Sequence, residues 1–176
     1  YVTFRTRQGH KAIPFEKDSV VLTEKTALNL GVEPGDSIWV ENPDGERVEM
    51  TLTGVTENYM FTRLYVSNAQ LQTLLGTCSP MTGIEPDFHC DYGFNIHTHG
   101  LAVINYNCVI LDTSPVNIGA GAFIAPGVCL ACSGHAVDLG QRSQGIGTSA
   151  PITLEENVWI GANTTVCGGV TIGAGS

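Results

Sequence analysis

Leu154-Glu-Glu-Asn-Val158-Trp-Ile160-Gly-Ala-Asn-Thr164-Thr-Val166-Cys-Gly-Gly-Val170-Thr-Ile172 repeats an aliphatic residue every six positions. Leu154, Ile160, Val166 and Ile172 carry the period here, and Ile118, Ile124 and Leu130 carry it upstream. A second row lies four residues after the first, with Val128, Val158 and Val170 apolar and Ala122 and Thr164 small. Small or turn-forming residues stand between, as in Ile118-Gly-Ala-Gly and Ile160-Gly-Ala-Asn. A coil of three short parallel strands needs one inward aliphatic per strand and a tight turn at each corner. Gly and Asn adopt the left-handed backbone angles of such corners at little cost. About eighteen residues then complete one turn, and stacked turns bury a continuous aliphatic column. A sandwich or barrel would reach this spacing only by chance, so the period predicts a parallel β-helix.

The period breaks over residues 136–150, Ala-Val-Asp-Leu-Gly-Gln-Arg-Ser-Gln-Gly-Ile-Gly-Thr-Ser-Ala. This polar stretch is expected to leave the coil as a flexible loop, and loops on rigid scaffolds commonly carry function. His135 stands at its mouth, directly after Gly134. On position alone it is a catalytic candidate, although a lone histidine is more often structural.

The chain has 176 residues, enough for one domain or two small ones. With 43% hydrophobic and 14% charged residues it is globular in composition. Neither a signal peptide nor an apolar run of the roughly 20 residues a membrane helix needs is expected. A start at Tyr1 rather than Met suggests a fragment or a processed piece. The net charge of −9 argues against nucleic acid as a partner. The six cysteines match no zinc or disulfide framework, which favours a reducing compartment. Cys129-Leu-Ala-Cys132 is a lone CxxC and reads as small buried filler. His97 and His99 form an HxH without further ligands at fitting spacing, so no metal is expected.

Composition shifts near residue 76. Residues 1–76 hold seven of the eight Lys/Arg and no cysteine; residues 77–176 hold one basic residue, Arg142, and fifteen of the 21 glycines. Two domains are therefore expected, 1–76 and 77–176. The first reads as a small α+β module. Ser19–Leu22 suits a strand, Thr23 an N-cap before a helix over Glu24–Leu30, and Gly31 its end. Ser37–Glu41 and Arg47–Val55 flank Asn42-Pro43-Asp44-Gly45, a hairpin signature. Ser67 is placed to cap a helix over Asn68–Leu75. No catalytic constellation appears, and the scattered acids read as the solvated surface of a scaffold.

Ile13-Pro14-Phe15, Val21-Leu22-Thr23-Glu24-Lys25, Leu30-Gly31-Val32, Gly35-Asp36, Gly54-Val55-Thr56-Glu57-Asn58-Tyr59 and Tyr65-Val66-Ser67 resemble the extracytoplasmic segment of FtsX-like (MacB-type) ABC transporter permeases. That resemblance spans about residues 3–76, implies no enzyme activity, and lacks the family's membrane spans.

The second half resembles another family. Pro86-Asp-Phe-His-Cys-Asp-Tyr-Gly93, Asn95-Ile96-His97, Asn105-Tyr-Asn-Cys-Val-Ile-Leu-Asp112, Ile124-Ala-Pro-Gly, Gly134-His135, Pro151-Ile152 and Asn157-Val-Trp-Ile-Gly161 are similar to the maltose/galactoside O-acetyltransferases of the hexapeptide-repeat class. The resemblance implies a left-handed β-helix, a homotrimer, acetyl-CoA as donor and a sugar or similar small hydroxyl acceptor. It implies His135 as general base, and Asp91 and Asn105 as holders of acceptor hydroxyls. It also implies acceptor contacts at Asp112 and Thr113, the family's contact falling at Thr113, one residue after Asp112. The backbone at Ala162, with Trp159 and Gly161 before it, would meet the donor. Thr98-His99 replaces the expected Ile-Gly, which predicts a distorted coil, and Gly147 stands where maltose-type members often carry an acid. The chain would also stop a coil or more before family members end, and the module over 1–76 replaces their usual helical N-terminal region.

Two alternatives stand beside acetyl transfer. One is a non-enzymatic permease segment in a chimeric chain, fused to an inactive acetyltransferase-like β-helix. The other is a trimeric β-helix that binds without turnover. Acetyl-CoA places the first reading in the cytoplasm, whereas the permease-like half would face outward.

Overall fold

The computed structural model describes residues 4–41, 45, 47–57 and 64–176. The chain divides into two compact units, Tyr1–Leu74 and Leu75–Ser176.

In the first unit a three-stranded sheet has Val20–Thr23 at its centre, parallel to Gly54–Thr56 and antiparallel to Leu64–Val66. Val20–Thr23 is buried along its whole length, which suits a β-branched run between two partners. The helix Glu24–Leu30 follows, and Gly31 closes it in the left-handed region, its N–H reaching Ala27 and Leu28 carbonyls. Thr23 sits at the N-cap position but makes no side-chain cap bond; its hydroxyl pairs with Thr26 at 2.7 Å instead. Ser67 does cap its helix, Asn68–Leu74, accepting from the Gln70 N–H at 3.3 Å. Ser37–Glu41 and Arg47–Thr51 pair antiparallel, while the turn at 42–44 lies outside the described residues. Val20, Leu22, Ala27, Ile38, Met50 and Leu52 form the core.

The second unit is a parallel β-helix of three faces. Face one stacks Thr82–Ile84, Ala102–Ile104, Ala122–Ile124 and Trp159–Ile160. Face two stacks His89–Cys90, Val109–Leu111, Cys129–Ala131 and Thr165–Cys167. Face three stacks Ile96–Thr98, Val116–Ile118, Ile152–Leu154 and Thr171–Ile172. The chain visits the faces in rotation, as a three-sided parallel β-helix does. Inside run Ile96, Ile104, Ile110, Ile118, Ile124, Leu130, Ile152 and Leu154, all nearly inaccessible. Burying each such side chain contributes about 1.5–3 kcal/mol. Val128, Val158 and Ala122 join this column, but Thr164 and Val170 are exposed.

The coil length departs from eighteen. Val116 pairs with Ile96 and Ala122 with Ala102, so these coils take twenty residues. Only the last step, Thr153 to Thr171, takes eighteen. The surplus sits at the corner between faces two and three. Inward positions step by six from Ile104 to Ile110, then by eight to Ile118. At the same corner of the next coil the period-breaking segment departs, carrying the register from Val116 to Ile152.

The predicted distortion at Thr98-His99 does not occur. The strand Ile96–Thr98 pairs in register with Val116–Ile118. Buried Thr98 replaces an aliphatic because its hydroxyl is satisfied, by the Ser79 N–H at 2.9 Å and Thr82 Oγ1 at 2.8 Å.

Candidate active site

The corner between faces two and three gathers four of the eight site residues singled out in the sequence, Asp91, Asp112, Thr113 and His135. Asp91 follows Cys90 in the first coil, Asp112 and Thr113 follow Leu111 in the second, and Ser133–His135 follow Cys132 in the third.

The segment 136–150 is not an irregular loop. Ser133–His135 pairs antiparallel with Gly147–Ser149, forming an arm, and a short helix Leu139–Ser143 lies at its tip. Asp138 caps that helix, accepting from the Gln141 N–H at 2.9 Å. Arg142, the one basic residue of this half, donates to the Ala136 and Val137 carbonyls at 3.0 and 2.7 Å and ties the tip to the strand. The arm stands on the backbone of Cys132 and Ala150, bonded at 3.1 Å. Gly168 of the coil above packs against these carbonyls so closely that a Cβ there would meet Cys132 O at 2.5 Å.

His135 is exposed on the arm, and its register partner is Gly147. Opposed residues of an antiparallel pair point to the same side, so Ser133, His135, Gly147 and Ser149 share one face. Gly147 contributes no side chain, which leaves a flank of the imidazole open. The Ser149 hydroxyl meets Thr113 Oγ1 at 2.7 Å and Ser114 Oγ at 2.6 Å, so this face turns toward the corner of the coil below.

Asp112 has a different place from the one expected. It is fully buried; its Oδ1 accepts from the Asp91 and Tyr92 N–H at 3.0 and 2.9 Å, and its Oδ2 from Gly93 and Asn95 at 2.7 and 3.3 Å. Asn95 Nδ2 also donates to the Asp112 carbonyl at 2.8 Å. With both carboxylate oxygens bonded inward, Asp112 has no exposed atom to offer an acceptor. It shapes the corner that displays Asp91. The exposed Asp91 carboxyl is held above its ordinary value, by desolvation first and by the Asp112 charge second. The Cys90 thiol beside them is pushed up to about 12 by burial, then by Asp112 and Asp91, so it is a neutral thiol at physiological pH.

The other predicted residues lie elsewhere. Asn105, half-buried, begins the corner between faces one and two, its Oδ1 accepting from the Tyr106 N–H at 2.9 Å. Gly161 and Ala162 form the same corner two coils on, and Trp159 projects from face one, 71% exposed and in register with Phe123. One chain therefore divides the predicted site between two corners, with the donor residues and Asn105 at one and His135, Asp91 and Thr113 at the other. His97 and His99 are spent on hydroxyl and amide partners, Thr77 Oγ1 at 3.3 Å and Asn117 Oδ1 at 3.2 Å. Burial, then the neighbouring His99, lowers the pKa of His97. Ser114, Ser133 and Ser149 are the site residues that sequence reasoning missed. Their only signal was the polar run Thr148-Ser149 where the arm returns.

No family model matches the chain. Curated relatives do. Nodulation protein L of Rhizobium meliloti is 44% identical over 97 residues, which is 55% of this chain and 53% of that protein. Galactoside O-acetyltransferase of Escherichia coli is 35% identical over 133 residues, 73% of this chain and 66% of that protein. The chain spans about half the length of the first of these relatives. Among solved structures, a hexapeptide-repeat acetyltransferase from Vibrio cholerae, complexed with acetyl coenzyme A, superposes with a TM-score of 0.58 at 34% identity. It covers 61% of this chain and 58% of its own. In fold and in sequence, the β-helical part of this chain is similar to the hexapeptide-repeat O-acetyltransferases.

Proposed function

We propose that this chain transfers an acetyl group from acetyl-CoA to a hydroxyl of a sugar or similar small acceptor, with His135 as general base. The observation that carries the reading is the irregular corner, where His135, Thr113, Ser149 and Asp91 are displayed on successive coils of an otherwise repetitive scaffold. The E. coli relative is a galactoside O-acetyltransferase and the V. cholerae neighbour holds acetyl coenzyme A, which supports both substrate classes.

The chemistry follows from these groups. A neutral imidazole on the open face of the arm takes the proton as the acceptor oxygen attacks the thioester carbon. The C–O bond forms, and the carbonyl oxygen becomes an oxyanion that the N–H of Ala162 would receive. Collapse breaks the C–S bond, and the imidazolium returns the proton to the departing sulfur. Asp91 and Thr113 would hold further acceptor hydroxyls at the same corner, with Asn105 doing so from the other. Trp159 and Gly161 would flank the donor.

We infer that the working unit is a homotrimer, because a neighbouring copy would bring its Asn105 and Ala162 corner against this chain's His135 corner. All six cysteines are free thiols, which suits the cytoplasm, where acetyl-CoA is found. Among the described residues no helix is long and apolar enough to cross a membrane. For the first unit we propose a scaffold role without chemistry. Its described ion pairs of full charge, Arg7–Glu24 at 3.2 Å and Arg47–Glu41, are largely solvent-facing and contribute little.

The test is thiol release from acetyl-CoA across a panel of sugars, wild type against His135→Ala. Turnover abolished in the variant supports the reading, and wild-type turnover no faster than the variant's sinks it. Sedimentation tests the trimer separately, a stable monomer being the adverse result.

A further inference from the structure

We propose that Ser149 is a positioning residue whose hydroxyl clasps the arm to the coil below and so sets His135 over the acceptor. The inference rests on the reading of His135 as base and adds to it the device that aims it.

The arm joins the coil through its two strands, and the Ala150–Cys132 backbone bond closes its foot. Within the arm, Asp138 and Arg142 bind the tip to itself and do nothing to fix its direction. Direction requires a side-chain tie from arm to coil, and Ser149 supplies one: 2.7 Å to Thr113 Oγ1 and 2.6 Å to Ser114 Oγ. These three hydroxyls come from segments 35 and 36 residues apart. A second tie supports them from the arm's base, where Cys132 Sγ meets the Ser114 carbonyl at 3.3 Å.

The geometry passes from clasp to base in one step. Ser149 and Ser133 are register partners, as are Gly147 and His135, all on one face. A strand rises about 3.3 Å per residue, so the imidazole stands two residues, or about 7 Å, along the arm from the clasp. A rotation at the clasp is carried out to the imidazole with gain, and an error of about 1 Å at a reacting group can cost up to 10²-fold. Thr113 belongs both to the clasp and to the proposed acceptor contacts, so a single hydroxyl network registers base against acceptor. Three hydroxyls carry three protons and the two contacts use two of them. One O–H is left to turn toward a bound alcohol.

The experiment combines turnover with amide hydrogen exchange on the full chain for wild type, Ser149→Ala, Ser149→Thr and His135→Ala. Ser149→Ala is expected to lower kcat about tenfold or more with KM for acetyl-CoA unchanged. It should also speed exchange of the Ala150 amide, which bonds the Cys132 carbonyl at the foot of the arm beside Ser149, by about five- to tenfold. Ser149→Thr keeps the hydroxyl and is expected to restore both. Wild-type exchange in Ser149→Ala overturns the clasp, and so does faster exchange with unchanged kcat. Lost kcat at unchanged exchange overturns it too, since Ser149 would then act by direct contact. If wild type and His135→Ala turn over alike, the reading of His135 fails instead, and exchange still decides whether Ser149 fixes the arm.

Discussion

Two kinds of corner occur in the same coil. Between faces one and two the chain turns identically at each level, with Asp87, Asn107, Gly127 and Asn163 all in the left-handed region, φ 62, 58, 72 and 57. Between faces three and one the turn is equally short, with Gly121 and Asn157 stacked at φ 76 and 56. A Cβ at Gly121 would clash with Asn157 Oδ1, so the two stacked corners fit closely. Between faces two and three the levels differ: two extra residues at each of the first two, then the arm, then none. The regular corners are solutions to a backbone problem and repeat because the problem repeats. The irregular corner spends added residues on display, and the side chains suited to chemistry collect there. In the proposed function the base stands at the irregular corner, and a regular corner offers its backbone to the donor.

The largest expected effect breaks the irregular corner at its foundation. Asp112→Ala removes the acceptor of four backbone N–H groups and should destabilise the second unit by about 3–5 kcal/mol, measured by chemical denaturation. Asp112→Asn, which retains one acceptor oxygen, should fall between. If Asp112→Ala unfolds like wild type but fails to turn over, Asp112 is a substrate contact after all.

At a regular corner the cost should be smaller and purely conformational. Asn157→Ala places Ala at φ 56 and should cost about 1–2 kcal/mol in the same experiment. The smallest effect is expected at Asp91. Its carboxyl pKa is raised in the folded chain, so it favours the fold below the ordinary carboxyl range, and that contribution is lost as pH rises through the folded value. Asp91→Asn should therefore raise the melting temperature slightly near pH 7 and leave it unchanged near pH 3, where the acid is already neutral. A lower melting temperature at pH 7 would show that ionised Asp91 is a favourable partner.

The fold was legible where the physics repeats. Ile118, Ile124, Leu130, Leu154, Ile160 and Val166 must each point inward, and their spacing betrays them. The coils before Val116 were not legible by period, because Ile84, Ile96, Ile104 and Ile110 are equally inward but thrown out of phase by the eight-residue corner. The arm carried a signal that a reading of loop overlooked, with Asp138 set to cap a helix over Leu139–Ser143. His135 was singled out by its place at a break, and the structure sets it on the arm opposite Gly147. Asp112 was misread because a carboxylate satisfied by backbone N–H groups looks, in sequence, like any other acid beside a motif. The Thr113, Ser114 and Ser149 cluster joins residues 35 and 36 positions apart through a fold that had first to be built. In the first unit, Gly31 and Ser67 were read correctly from capping chemistry, whereas Thr23 spends its hydroxyl on Thr26.

In the proposed function the general base is His135, at the irregular corner. The most direct measurement is steady-state turnover of acetyl-CoA by His135→Ala and Asn157→Ala, one residue from each kind of corner, alongside wild type. The account predicts a loss of about 10²–10⁴-fold in kcat for His135→Ala with its stability intact. It predicts wild-type kcat for Asn157→Ala despite its lower stability. Equal losses in both variants, or full turnover by His135→Ala, would contradict it.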